Sequence, residues 1–151
     1  MDWKKLTSLD RIVIAAGVLL VIDLLAIPWI DVSVGPISVT SAGTGSPDGF
    51  LGVLALLFAL GTVLSVVLER FTTVRLPSLP ISSGGKWIGT AHVRSLAALV
   101  ALVLIVLKFV LHLHPSYLGA GCWAALILGI VLVVSTRRSR TEATVQAGRP
   151  T

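Results

Sequence analysis

Apolar positions gather into four long blocks along the chain, at residues 12–30, 50–68, 96–113 and 118–134, with polar segments between them. Each block holds 17 to 19 residues. At 1.5 Å per residue a helix of that length spans roughly 25–29 Å, close to the thickness of bilayer hydrocarbon. The blocks do not alternate apolar with polar residues, as strands of a membrane barrel must. Hydrocarbon offers the backbone no hydrogen-bond partner, so a spanning block of this kind must be a helix. The pattern predicts an all-α, four-helix transmembrane bundle. Lys4, Lys5 and Arg11 ahead of the first block resemble the basic start of a signal peptide. The apolar run is too long for that, and no small-x-small cleavage site follows it, so the first block is expected to be retained.

Composition removes the alternatives. Of 151 residues, 55% are hydrophobic and 13% charged, about half the charged fraction of a soluble domain. The mean hydropathy of +0.97 excludes disorder, which requires a chain with little apolar surface to bury. A single cysteine supplies neither an internal disulfide nor a CxxC site. The net charge of +5 is informative mainly through its distribution. Lysine and arginine fall at Lys4, Lys5 and Arg11, then at Arg70, Arg75, Lys86 and Arg94, then at Arg137, Arg138, Arg140 and Arg149. Residues 31–49 and the turn at 114–117 carry none. This alternation follows the positive-inside rule and predicts both termini in the cytoplasm. On that topology the cytoplasmic segments sum to +7 and the outer loops, through Asp31 and Asp48, to −2. The basic segments have no aromatic stacking platform, so nucleic acid is not an expected partner; the lipid bilayer is.

The connections differ in kind. Residues 31–49 contain short alternating runs, Val32/Val34 and Ile37/Val39, flanking Gly35-Pro36. That is a hairpin pattern, but an isolated hairpin is marginal in water, which favours an irregular polar loop. Pro28 and Trp29 are expected at a membrane border, the indole keeping its N–H wet. Pro77, Pro80 and Gly84-Gly85 break any long helix between the second and third blocks. The basic tail, residues 135–151, is expected to be disordered.

Two charges stand inside apolar blocks, Asp23 in the first and Lys108 in the third. Such a residue at mid-helix costs roughly 2.5–3.5 kcal/mol on insertion scales, so each needs a partner or a wet cavity. Asp23 lies 12 residues beyond Arg11 and Lys108 14 beyond Arg94, about 18 and 21 Å along their helices. Similar depth predicts a buried Asp23–Lys108 pair, as a packing lock or as an ion-coupled relay. The other reading leaves Lys108 snorkelling outward on its own stem. His112 and His114, with Asp31 and Asp48, offer metal-competent ligands near the outer surface. Histidines two apart point to different helix faces, so no metal site is expected. His92 reads as solvated.

Gly121, Ala125 and Gly129 form a small-residue ridge at four-residue spacing in the fourth block, a pattern that lets helix backbones approach closely. Its partner is either another helix of the bundle or another protein. Cys122 is expected to be a buried, inert thiol. Ser83-Gly84-Gly85-Lys86 lacks the spacing of a phosphate loop. Neither a catalytic constellation nor a cofactor motif is present in the sequence. The hydroxyls among the arginines of residues 135–141 are potential phosphorylation sites, against the plainer reading of a stop-transfer anchor.

Leu9-Asp10-Arg11, a first apolar helix ending at Pro28-Trp29, a Gly/Ser-rich loop and Gly49-Phe50-Leu51-Gly52 at the start of the second block together resemble small, uncharacterised four-helix integral membrane proteins of actinobacteria. The likeness covers about the first 65 residues. It implies a bacterial plasma membrane and brings no functional residues with it. The expectation is therefore a multi-pass, non-enzymatic scaffold or accessory subunit that meets a membrane-protein partner or a second copy. The alternative is a small oligomeric transporter or channel that uses Asp23 and Lys108.

Overall fold

The computed structural model describes residues 6–34, 37–46, 48–71, 79–83, 86–111 and 118–147. Among these, four helices carry the fold: α1 (Ser8–Ala26), α2 (Gly49–Phe71), α3 (Thr90–Leu111) and α4 (Ala120–Ala147). The hairpin strands β1 (Pro28–Val34) and β2 (Ile37–Ala42) join α1 to α2, and β3 (Leu79–Ser83) and β4 (Lys86–Ile88) lie between α2 and α3. Each helix packs on the next, and α4 closes the ring against α1. Asp10 near the start of α1 meets Arg70 near the end of α2, so these neighbours run antiparallel. Glu69 of α2 and Arg94 of α3 repeat the arrangement.

Local chemistry sets the ends of α1. The Thr7 hydroxyl accepts from the Asp10 amide at 3.2 Å, and the Asp10 carboxylate accepts from the Thr7 amide at 3.1 Å. This reciprocal cap satisfies two donors that the first turn leaves free. At the other end Pro28 excludes the helical conformation at Ile27, which is extended, because the proline ring crowds the residue before it.

The helix bounds depart from the apolar blocks. α1 begins four residues before the expected 12 and ends at Ala26, with 28–30 in β1. α2 runs three residues past 68, and α3 begins six before 96. Backbone hydrogen bonding continues where side chains turn polar, so hydrophobicity marks the membrane-facing stretch and not the helix. The largest departure is the tail. Residues 135–147, expected to be disordered, extend α4 without a break. No glycine or proline interrupts 130–147. Thr136 and Ser139 bond back to carbonyls of the preceding turn.

Alanines pack inside beside the fully buried Leu20, Leu24, Ile105 and Leu132, and much of the exterior is large and apolar. Ala16, Ala55, Ala59, Ala98, Ala101 and Ala125 are buried, whereas Leu19, Leu25, Leu57, Val103, Ile127 and Ile130 are exposed. Water would not tolerate so broad an apolar exterior, while lipid tails match it. α2, α3 and the Ala120–Thr141 stretch of α4 are long and apolar enough to cross a membrane. α1 falls short by composition, because its 19 residues include Asp10, Arg11 and Asp23.

The ridge on α4 is used within the bundle. A Cβ at Gly129 would stand 2.9 Å from Leu102 Cδ1 of α3, and one at Gly121 would stand 2.9 Å from the Trp29 ring. A tighter fit lies at Gly17 of α1, where a Cβ would come 2.2 Å from Val63 Cγ2 of α2. A Cβ at Gly61 would meet nothing within 4 Å. Gly17→Ala should therefore cost about 1–3 kcal/mol by overpacking. Gly61→Ala should cost nothing, since replacing a mid-helix glycine relieves a backbone penalty of roughly 0.5–1 kcal/mol. Unfolding in mild detergent measures both, and equal stability of the two variants would contradict the packing described.

Candidate functional site beneath the hairpin

At the end of the bundle that carries β1 and β2, three polar side chains are buried together. Asp23 of α1 is 1% exposed, Lys108 of α3 3% and Trp29 of β1 3%. The strand register shows how Trp29 comes to be there. Pro28 pairs with Ala42 and Ile30 with Ser41, so Trp29 is the extra residue of a β-bulge. A bulge redirects a side chain, and this one accompanies an indole turned into the bundle. The expectation of Trp29 as a wet border anchor is corrected accordingly. Its N–H donates to Asp23 Oδ2 at 3.1 Å. The exposed indole at this end is Trp123, which meets Phe109 edge-on with ring centroids 5.5 Å apart.

Lys108 occupies the last turn of α3, where a helix presents free carbonyls and favours a cation. Its ammonium donates to the carbonyls of Gly43, in a short contact, and of Gly45, at 3.1 Å. It also stands 5.6 Å from the centre of the Trp29 ring, within cation–π range. Gly43 allows this crowding: a Cβ there would come 2.8 Å from the indole. Asp48 acts electrostatically on Lys108. Asp48 itself holds a left-handed backbone conformation, φ 53°, at the entry to α2, which an aspartate tolerates better than most residues.

Asp23 and Lys108 therefore share a layer, as their depth predicts, but not a hydrogen bond. Asp23 Oδ2 takes the indole proton and Oδ1 has no hydrogen-bond partner. Trp29 stands between the two charges, presenting its N–H to one and its π face to the other. The snorkelling reading of Lys108 is corrected too, since its ammonium is held by the loop that follows β2. Cys122 of α4 lies beside this layer, buried as expected. A void of about 10 Å³ lies among Trp29, Ile30, Lys108, Phe109, Leu118 and Cys122, about the space for one water.

The hairpin is ordered because it is not isolated. The Thr44 amide donates to the Leu24 carbonyl at 3.1 Å and the Gly119 amide to the Trp29 carbonyl at 2.7 Å. Ile30 and Leu118 form a further bridge. These bonds anchor β1 and the turn after β2 to helix ends and overturn the expectation of an irregular loop. His112 and His114 lie outside the described residues. Among the described residues no three His, Cys, Asp or Glu side chains converge.

Charges at the opposite end pair up, which charge counting did not foresee. The buried Asp10 carboxylate meets Arg70 Nε at 2.9 Å. Arg94, also buried, donates through Nε to the Ser65 hydroxyl at 3.0 Å and through Nη2 to Glu69 in a short contact. The sequence signals were Thr7-x-x-Asp10 and the adjacent Glu69-Arg70 at a helix end. No family model, curated protein or solved structure matches this chain.

Removing the indole donor leaves the buried Asp23 carboxylate without its hydrogen bond. Trp29→Phe should thus cost about 1–3 kcal/mol, the penalty for an unsatisfied buried polar group. Adding Asp23→Leu to that variant should recover part of the loss, because the two losses share one interaction. A double-mutant cycle in detergent checks this, and strictly additive losses would rule out the coupling.

Proposed function

We propose that the protein spans a bacterial plasma membrane four times, with both termini cytoplasmic, as a non-enzymatic scaffold or accessory subunit of a membrane complex. Three lines support the reading. The lysine and arginine asymmetry favours a cytoplasmic side for the end bearing Arg70, Arg94 and Arg137. The apolar exterior suits lipid, and the resemblance proposed for the first 65 residues, to small actinobacterial membrane proteins, is consistent with both. α1 joins the other three as a span because its acids are already partnered, Asp10 by its cap and Arg70 and Asp23 by Trp29.

The observation that carries the role is how the intramembrane charges are used. Asp23 and Lys108 fasten the hairpin onto the helix ends, which is the work of a structural lock. A second reading, a small oligomeric transporter or channel, draws on Asp23 Oδ1, a buried carboxylate oxygen without a hydrogen bond. Such an atom is what a relay requires.

Crosslinking in the native membrane, followed by mass measurement of the extracted species, separates the two. The accessory-subunit reading expects a stable hetero-complex of defined mass. A closed homo-oligomer whose ion flux in proteoliposomes is lost in Asp23→Asn would overturn it in favour of the transporter.

A further inference from the structure

Where α4 continues past the apolar stretch, it and the start of α3 enclose a cleft of about 490 Å³. Arg137 and Arg140 line it from α4, and His92 and Ser95 line it from α3. Members of each pair are three residues apart and so share a helix face. Leu96 and Leu99 form its apolar side. The volume falls within the range of small-molecule sites.

Four features make this cleft suited to an anion. Arg70 and Arg94, the arginines at the same end on α2 and α3, are engaged by Asp10 and Glu69. Arg137 and Arg140 have no ion pair among the described residues. The first turn of α3 contains no acidic residue, so the positive end of that helix receives no carboxylate from its own first turn. Ser95 is 6% exposed, and its hydroxyl makes no hydrogen bond among the described residues although it borders the cleft. That hydroxyl is open to the cleft and is able to donate to a ligand seated there.

The apolar side points to where the anion comes from. Leu96 is 58% exposed and shares a helix face with the exposed Val103 and Leu107, at spacings of seven and eleven residues. A ligand with a phosphate in the cleft and hydrocarbon chains along this stripe would satisfy both halves. We propose that the cleft binds the phosphate-bearing headgroup of an anionic phospholipid from the adjoining leaflet, with Arg137, Arg140, His92 and Ser95 as its donors. Basic recesses between helices at the cytoplasmic surface suit such headgroups in general. The inference rests on the membrane reading above but not on the accessory-subunit role. A protein that bound the lipid yet formed no hetero-complex would leave the site standing and the role refuted.

The test is a titration of the full chain in detergent, read by native mass spectrometry. The probes are a short-chain phosphatidylglycerol, phosphatidylcholine of the same chain length, and glycerol 3-phosphate. Phosphatidylglycerol should bind at least about tenfold more tightly than either of the others, as expected where several cationic groups meet one anionic headgroup. Arg137→Gln and Arg140→Gln should each weaken it about fivefold, while Arg138→Gln, which removes the same charge outside the cleft, should leave it unchanged. Ser95→Ala keeps every charge and should weaken it about threefold. Equal affinity for the two lipids, or equal loss in all three arginine variants, would reduce the effect to diffuse charge and overturn the site. Binding of glycerol 3-phosphate as tight as that of the lipid would overturn the membrane source.

Discussion

A polar group that leaves water for a bundle bathed in hydrocarbon must find its partner in its own chain. Asp23 and Lys108 impose that constraint on the end of the bundle where they lie, and Trp29 does most to meet it. Its N–H reaches Asp23 and its ring faces Lys108, so one residue of β1 connects α1 to α3. The bulge at Trp29 and the glycine at 43 both serve to bring backbone and indole close enough. The hairpin is accordingly part of the bundle, bonded to the ends of α1 and α4, and not an appendage.

The opposite end solves a similar problem with different means. Asp10–Arg70 joins α1 to α2, and Glu69–Arg94 joins α2 to α3. Pairs near water contribute modestly when both members are exposed. Here Asp10 and Arg94 are buried, so the loss of either partner would leave a charge stranded. Between the two ends alanine and glycine are frequent at the helix contacts, and Gly17 lies close against Val63. Two polar layers thus bracket an apolar middle in which alanines pack beside Leu20, Ile105 and Leu132.

Much of this was legible from spacing. Four apolar blocks announced four helices, and a count of residues from Arg11 and Arg94 put Asp23 and Lys108 at one level, where both now meet Trp29. Partner choice was not legible. It depends on a bulge and on the path of residues 43–45, which hydrophobic periodicity does not encode. The hairpin pattern at Val32/Val34 and Ile37/Val39 was visible, yet its stability comes from bonds to Leu24 and Gly119 that no local rule supplies. The helical tail is not legible from its charge, which suits disorder equally well. The lack of glycine and proline across 130–147 was the better guide. The Arg137–Arg140 cleft was hidden for the same reason, since it exists only if α4 continues.

The hairpin closes the layer around Asp23, Trp29 and Lys108 to water. Cys122, the sole cysteine, lies beside it at 1% exposure and reports on its access to water. The decisive measurement is the rate at which a water-soluble maleimide alkylates Cys122 in intact membranes, compared with the fully denatured chain. A closed layer predicts a rate slower by about two orders of magnitude or more, as for a thiol reached only through local opening. Alkylation at close to the denatured rate would show this end open to water and would contradict the account.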